Sequence, residues 1–164
     1  YGGNGSMTIT TGTAIAILGA AIAAAFCGIG SAIGTGLAGK AAAGVTAESP
    51  DKYSKVLLLQ VLPGSQGIYG LVTAFLLFSK IKLFGTASLL SIQQGLLLFF
   101  ACLPMALVGL ISAIYQAKVA ISGIMMIAKR PEESGKAITF CIMVETYAIL
   151  ALLISLLGIL IPKF

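Results

Sequence analysis

Residues 137–161 read AITFCIMVETYAILALLISLLGILI and contain a single charged residue, Glu145. The run is longer than the roughly 20 residues that an α-helix needs to cross the ~30 Å hydrocarbon core of a bilayer. In lipid the backbone polar groups must be paired within the segment itself, and a helix meets that requirement. The stretch therefore predicts a membrane-spanning helix with one carboxylate inside it.

Three further apolar stretches precede this one, at residues 9–45, 56–78 and 89–128. Of the 164 residues, 59% are hydrophobic and 9% are charged, whereas about 25% are charged in an ordinary soluble domain. A small domain leaves much of its surface in water, so a soluble core cannot hide this many apolar residues. The sequence predicts an all-α membrane protein with four transmembrane helices.

The composition also excludes several kinds of site. There is no histidine, so histidine-based triads and histidine-ligated zinc or haem are absent. The three cysteines lie in apolar stretches, where we expect small buried side chains rather than a disulfide framework. The net charge of +5 comes from sparse basic residues beside the loops, a pattern that favours membrane topology over nucleic-acid binding.

Three short polar breaks separate the apolar stretches: residues 46–52 (TAESPDK), 79–88 (SKIKLFGTAS) and 129–136 (KRPEESGK). Loops this short predict that successive helices are antiparallel neighbours. The basic residues divide unequally between the two sides, with Lys52, Lys55, Lys129, Arg130 and Lys136 on one and Lys80, Lys82 and Lys163 on the other. The positive-inside rule then predicts cytoplasmic loops near Pro50 and Pro131 in a cell membrane, with both termini outside.

The chain repeats itself at an offset of 81 residues. The matched positions include Ala47, Pro50 and Lys55 with Ala128, Pro131 and Lys136. Such a repeat predicts a duplicated unit, here a helical hairpin that occurs twice.

The predicted hairpins span residues 8–80 and 88–162, joined by an extracytoplasmic loop at residues 81–87. Glu145 aligns with Gly64. The first hairpin therefore lacks the membrane carboxylate that the second one carries.

The first apolar stretch is rich in glycine, and its segment GTGLAG at residues 34–39 matches the dinucleotide-binding pattern G-x-G-x-x-G. No strand precedes it and no βαβ unit surrounds it, so we reject a nucleotide site. We expect close helix packing through two stripes of small residues, with Gly30, Gly34 and Ala38 on one and Gly28, Ala32 and Gly36 on the other. Such a helix suits the inner wall of a ring, and packing inside a single bundle is the alternative.

Glu145 is the residue that bears most directly on function. An ionised carboxylate at bilayer depth is costly, and such residues usually mark an ion or substrate pathway. Two other interpretations stay open. In one, a protonated or paired glutamate only holds helices together. In the other, Glu145 pairs with Lys118, whose long side chain can also extend towards the interface.

Several polar side chains share the depth of this carboxylate. Counted from the nearer loop proline, between 14 and 16 residues separate it from Glu145, Gln116, Ser65 and Gln66. At about 1.5 Å per residue this is roughly 21 to 24 Å. Hard cations prefer oxygen ligands and one carboxylate balances one monovalent charge, so this set suits Na⁺ better than Ca²⁺ or Mg²⁺. Hydrogen bonds that tie the helices together are the alternative use of these side chains.

The second apolar stretch contains a proline, Pro63. It has no N–H, so the carbonyl of Leu59 loses its usual donor and the helix should bend locally. Irregular backbone at membrane depth is tolerated where it is buried or lines a site. Tyr69 lies three residues past Gln66 on the same helical face. Its hydroxyl either orients the Glu145 carboxylate or belongs to an ordinary packing tyrosine.

Three segments carry a resemblance to a known family: residues 62–70 (LPGSQGIYG), 111–120 (ISAIYQAKVA) and 143–150 (MVETYAIL). They resemble the rotor-ring proteolipids of V-type ATPases, most of all those of bacterial sodium-transporting enzymes, and the resemblance covers nearly the whole chain. It implies a homo-oligomeric ring in which each copy carries one Na⁺. It also implies that ATP hydrolysis on other subunits turns the ring, so that this chain is not itself an enzyme.

The resemblance further implies which groups hold the ion. Carried onto this sequence, the ligands are the Leu62 carbonyl and the side chains of Ser65, Gln66, Gln116 and Glu145, with Tyr69 supporting the carboxylate. Close relatives often have threonine at the position of Ser65, and the hydroxyl is kept. The implied partners are identical copies of the chain, a stator membrane subunit with an essential arginine, central-stalk subunits and the lipid bilayer.

Three other functions stay open from the residues themselves. The same rotor carrying H⁺ would need only the carboxylate, which leaves Gln66 and Gln116 without a use. A small carrier or channel that works without ATP would also have internal repeats and a charge at the midplane. A purely structural bundle would leave Glu145 inert.

Overall fold

A computed structural model describes residues 9–85 and 88–163 as an antiparallel bundle of helices. The α-helices within these residues are α1 (Thr11–Glu48), α2 (Tyr53–Val61), α3 (Ser65–Lys80), α4 (Ile92–Lys129) and α5 (Ser134–Leu160). Helices α2 and α3 belong to one span, so four segments of the described chain are long and apolar enough to cross a membrane. The predicted all-α class with four transmembrane helices is confirmed.

The two halves of the structure repeat each other at the offset found in the sequence. Helices α1 and α4 each have 38 residues and begin 81 residues apart. Thr10 and Ser91 cap these two helices by accepting a hydrogen bond from the backbone N–H three residues further on. Pro50 and Pro131 each begin a 3₁₀ turn before the next helix. The predicted duplication of a helical hairpin is confirmed.

Helix α1 packs closely on α4 because glycine lets the two backbones approach. A Cβ atom on Gly30 would lie 2.7 Å from the Leu110 carbonyl oxygen, and one on Gly34 would lie 2.9 Å from that of Ala113. Between helices in lipid, close packing of this kind replaces the hydrophobic driving force that acts in water. The stripe that ends at Ala38 is buried here as predicted.

The second stripe of small residues faces outward. Gly28, Ala32 and Gly36 are exposed, and a Cβ atom on Gly28 or Gly36 would meet no atom within 4 Å. The prediction that both stripes line helix contacts therefore holds within the chain for the first stripe only.

The second span is interrupted at Pro63. Between α2 and α3, Leu62–Gly64 forms a 3₁₀ turn, because a residue without an N–H breaks the α-helical ladder of hydrogen bonds. The Leu62 carbonyl accepts a hydrogen bond from the Ser65 N–H and another, 3.0 Å long, from the Ser65 hydroxyl. The predicted irregularity is present, whereas α5 runs unbroken through the equivalent positions.

The start of α1 holds the connection between the two hairpins. The Thr10 hydroxyl donates to the Leu90 carbonyl at 2.8 Å, and the Thr13 hydroxyl donates to the Ser88 carbonyl at 2.8 Å. Residue 8, where the first hairpin is predicted to begin, and residues 86–87 of the predicted loop lie outside the described residues. Which side of the membrane each loop occupies stays a prediction.

Candidate functional site

Glu145 lies near the middle of α5 and is 9% exposed. Its two carboxylate oxygens bond to side chains from α3 and α4. The carboxylate is therefore enclosed where three helices meet, at the depth that the residue counts predicted. Burial of a carboxylate is tolerated only with hydrogen bonds or a compensating charge.

The Tyr69 hydroxyl donates a hydrogen bond of 2.6 Å to Glu145 Oε1. This length is typical of an O–H donor on a carboxylate oxygen. Tyr69 lies one helical turn past the start of α3, so the 3₁₀ turn that precedes α3 sets the face from which it reaches α5. Of the two interpretations left open by the sequence, the structure supports the orienting tyrosine.

Two buried glutamines continue the network from the other carboxylate oxygen. The Gln116 amide donates to Glu145 Oε2 at 3.3 Å and to the Cys141 carbonyl at 3.2 Å. The Gln66 amide in turn donates to Gln116 Oε1 at 2.6 Å. Both glutamines are fully buried. They join α3, α4 and α5 through side chains alone.

Ser65 and Leu62 lie at the far end of this network. The Ser65 hydroxyl donates to the Leu62 carbonyl at 3.0 Å and lies 3.3 Å from Gln66 Oε1. All the residues that the sequence nominated are thus brought into one connected set. Its members, in order of contact, are Leu62, Ser65, Gln66, Gln116, Glu145 and Tyr69.

Lys118 does not join the set. It is exposed on α4, and its Nζ lies 4.4 Å from the centre of the Tyr115 ring, a cation–π distance. The ion pair found within residues 9–85 and 88–163 joins Lys136 to Glu133, so Glu145 has no lysine or arginine partner there. The alternative of a Glu145–Lys118 pair is not what the structure shows.

The chemistry of the set is that of neutral oxygens around one negative charge. The described residues contain no group of three or more His, Cys, Asp or Glu side chains that could hold a metal ion. A cation at Glu145 must therefore draw its remaining ligands from carbonyl, amide and hydroxyl oxygens. Those are the ligands of hard cations, and a single carboxylate balances a single positive charge.

The sequence analysis did not identify one supporting residue, Ser31. Its Oγ on α1 accepts a hydrogen bond of 2.7 Å from the backbone N–H of Gly67. That N–H lies in the first turn of α3, where an α-helix leaves its donors unpaired. Ser31 thus anchors the turn from which Gln66 projects. Its match with Ser112 in the repeat was visible in the sequence, but it gave no indication of this role.

Comparisons with known proteins place these features in a family context. The profile of the family described as the C subunit of ATP synthase matches the chain twice, over residues 18–77 and 99–158, so the second match begins 81 residues after the first.

Two curated relatives are similar over most of the chain. The V-type sodium ATPase subunit K of Enterococcus hirae is 48% identical over 154 residues, which cover 94% of this chain and 96% of the relative. The A-type ATP synthase subunit K of Methanocaldococcus jannaschii is 38% identical over 140 residues, which cover 85% of this chain and 59% of the relative. The chain therefore spans about three-fifths of the length of the second relative.

Proposed function

Because the chain belongs to the family of ATP synthase C subunits, the proteolipids of rotary-ATPase rotor rings, we propose that it carries one Na⁺ per copy across the membrane at Glu145. The ring is that of a V-type ATPase, and ATP hydrolysis on other subunits drives its rotation. In this role the chain is an ion-translocating subunit rather than an enzyme.

One observation carries the proposal. Glu145 is a carboxylate buried at membrane depth with hydrogen bonds from Tyr69 and Gln116 and without a basic partner among the described residues. A buried charge with neutral partners alone is costly. A bound monovalent cation would remove that cost.

The proposed ligands are the oxygens of the connected set: the Leu62 carbonyl, the Ser65 hydroxyl, the amide oxygens of Gln66 and Gln116, and the Glu145 carboxylate. A primary amide presents its oxygen or its NH₂ group according to a rotation of its terminal torsion angle. In the structure each glutamine turns its NH₂ group towards the next residue of the network. With Na⁺ bound, each would turn its oxygen to the ion, while Tyr69 would continue to hold the carboxylate.

The glutamine pair is what favours Na⁺ over H⁺. A proton needs only the carboxylate, whereas a metal ion needs several oxygens within reach. Two fully buried glutamines next to one buried acid are costly to arrange for proton transfer alone, because every amide group must then find a partner.

Rotation follows from the charge balance. With Na⁺ bound, Glu145 contributes no net charge, so the site passes through lipid at small cost. The empty carboxylate is strongly disfavoured there and requires a positive group, which in this family is an arginine on the stator subunit. The remaining proposed partners are identical copies in the ring and the central-stalk subunits, with the loops at Pro50 and Pro131 cytoplasmic and both termini outside.

Carbodiimide labelling of the purified ring tests the proposal. The reagent modifies a protonated buried carboxyl, so a bound ion protects it. We expect one adduct per chain, at Glu145, formed more slowly in millimolar Na⁺ than in K⁺. Equal rates in the two salts would instead indicate a proton-carrying rotor, and no adduct at Glu145 would indicate an inert structural carboxyl.

A matched pair of variants ties the protection to the site. Gln116→Leu removes a proposed ligand and should abolish the effect of millimolar Na⁺, while Glu145 still reacts. Gln93→Leu makes the same chemical change at an exposed position in the first turn of α4, and Na⁺ should protect it as in the unsubstituted ring.

A further inference from the structure

We propose that neighbouring copies in the ring meet through a junction that repeats, at equivalent positions, the contact between the two hairpins of one chain. The proposal rests on the ring assembly put forward above. At this junction Tyr147 and Leu150 of one copy lie against a groove beside Gly64 of the next. The junction is built on the plan of the Glu145 site without its ion-binding groups.

The first hairpin has an open groove of about 330 Å³ beside Gly64. Its lining includes Thr35, Leu62, Gly64, Ser65 and Ile68. The residues 81 positions later are Gln116, Met143, Glu145, Thr146 and Ile149. Within the chain that second set belongs to the face that the first hairpin covers, because Gln66 and Tyr69 bond to it. The groove is therefore the same face of the repeat, left uncovered.

The second hairpin leaves the complementary face open. A hollow of about 230 Å³ between α4 and α5 is lined by Val108, Ile111, Ser112, Val144 and Tyr147. The residues 81 positions earlier are Cys27, Gly30, Ser31, Pro63 and Gln66. Two of these form the contact inside the chain, since Gly30 lies against α4 and Gln66 bonds to it. Each copy thus presents outward one example of both faces that it joins internally.

Two different faces that fit each other make a head-to-tail contact. Contacts of this kind close into rings when the rotation between copies divides a full turn. The rotation from the first hairpin to the second within the chain provides that step, and its repetition from copy to copy continues the same curve.

Pairs across the junction follow from the bonds inside the chain. Shifted by one repeat, the bond between the two glutamines becomes a contact between Tyr147 of one copy and Thr35 of the next. The bond from the tyrosine to Glu145 becomes a contact between Leu150 and Gly64. Tyr147 and Leu150 are 66% and 58% exposed in the single chain. Large side chains on one face therefore meet small ones on the other.

The outward stripe on α1 fits the same junction. Shifted by one repeat, the close contact of Gly34 with α4 places Tyr115 of one copy on Ala32 of the next. Tyr115 is 56% exposed, and the glycines one turn to either side of Ala32 leave open space around them. Bulky side chains on α4 then pack on the stripe that has no use within the chain.

A polar contact at the loop end extends the match. The Lys55 ammonium donates to the Pro131 carbonyl at 3.0 Å. Shifted by one repeat, this becomes a bond from Lys136 to the Pro50 carbonyl of the next copy. In the single chain the Lys136 side chain is 70% exposed and pairs with Glu133 on the surface, so it can reach a neighbour.

Paired cysteines in the purified ring test the junction. A chain with both Thr35→Cys and Tyr147→Cys, oxidised with copper phenanthroline, should run on a denaturing gel as a ladder of multiples of 16.7 kDa. Each single variant should give monomer only. The natural cysteines are buried, so the unsubstituted ring serves as the blank.

The matched control moves one cysteine around α5 at nearly constant depth. Ile149 lies two residues past Tyr147, on the other side of the helix, and is 47% exposed. The pair Thr35→Cys with Ile149→Cys should give no ladder. A ladder from this pair, or an assembled Thr35–Tyr147 ring that stays monomeric, overturns the junction.

Nitration by tetranitromethane needs no substitution and covers the case in which a cysteine variant fails to assemble. In the unsubstituted protein, Tyr147 should be nitrated several-fold more slowly in the ring than in the dissociated chain. Equal rates overturn the junction. Sodium protection of Glu145 is measured separately on the same ring, so loss of protection with a ladder present counts against the proposed function alone.

Discussion

The two hairpins share a backbone plan and differ in one span. Helices α1 and α4 have equal length and equivalent caps. The second span of the first hairpin breaks at Leu62–Gly64, whereas α5 runs through the equivalent positions around Glu145 without a break. Even the local hydrogen bonds correspond, since Ser65 donates to the Leu62 carbonyl and Thr146 to the Met143 carbonyl.

The difference shows how two similar units make one site. The first hairpin supplies the irregular backbone, Ser65, Gln66 and Tyr69, while the second supplies Gln116 and the acid. No hairpin holds the set by itself, so the set forms only where the second span of the first hairpin faces the second hairpin. One carboxylate for every four spans halves the charge carried per span. Since one charge that crosses 100 mV costs about 2.3 kcal/mol, we propose that this arrangement favours pumping against a steep gradient.

Removal of the acid should have the largest effect on this comparison, because it makes the second hairpin as neutral as the first. In Glu145→Gln we expect the Na⁺ affinity of the ring to fall about 100-fold or more, since the loss of one member of a buried charge pair costs about 3–5 kcal/mol. Sodium-22 binding to the purified ring measures it. The isosteric amide should leave ring assembly intact, and undiminished binding would show that the ion lies elsewhere.

Addition of an acid to the first hairpin asks whether a carboxylate alone makes a site. In Gly64→Glu we expect a second carbodiimide adduct that Na⁺ does not slow, because Thr35 and Tyr147 stand where the working site has its glutamines. We also expect a ring that dissociates at lower temperature, since a charged side chain in a membrane helix costs about 2.5–3.5 kcal/mol.

Gly64→Ala is the control for that variant. Its Cβ atom would lie 3.3 Å from Thr35 Cγ2, a tight contact that a small shift relieves, so the ring should be nearly as stable as the unsubstituted one. If Na⁺ slowed labelling at both positions of Gly64→Glu, the acid alone would be sufficient and the role of the glutamines would be wrong.

The sequence predicted depth better than direction. The counts from Pro50 and Pro131 place Gln116 and Glu145 at one level, because an α-helix rises by a constant distance per residue. Pro63 likewise predicts the irregular turn, because the missing N–H is a property of the residue itself.

What a side chain contacts depends on packing between helices, and the sequence left those questions open. Tyr69 was equally compatible with packing and with a bond to Glu145, and Lys118 with a salt bridge and with exposure. Rotamers and helix rotation decide between these, and the structure shows the bond from Tyr69 and the exposed Lys118. Ser31 was missed for the same reason, because its bond to α3 joins helices that the sequence does not orient.

Loss of the phenol hydroxyl should have an intermediate effect. In Tyr69→Phe we expect the Na⁺ concentration that halves carbodiimide labelling to rise about 10-fold, because a hydrogen bond to a charged group contributes about 1.5–3 kcal/mol. Tyr147→Phe is the control, since that exposed tyrosine lies on α5 itself and should bind Na⁺ normally. If the two variants behaved alike, Tyr69 would be a packing residue.

The smallest expected effect comes from the pair of hydroxyls that the two hairpins share. Ser65 and Thr146 make the same kind of backbone hydrogen bond at equivalent positions, so removal of either perturbs its helix to a similar degree. Only Ser65 lies beside Gln66 Oε1, at 3.3 Å. We therefore expect Ser65→Ala to weaken Na⁺ protection of Glu145 about three- to ten-fold, the range that corresponds to one neutral contact of about 0.5–1.5 kcal/mol, and Thr146→Ala to leave it unchanged.

Ser65→Thr separates the hydroxyl from the size of the side chain. It keeps the oxygen at the same position on α3 and should restore protection to the unsubstituted level. A loss of protection in Thr146→Ala equal to that in Ser65→Ala would mean that the hydroxyls act through helix geometry alone. The two hairpins would then differ only in the acid and the buried amides, and the serine would have to be removed from the proposed set of ligands.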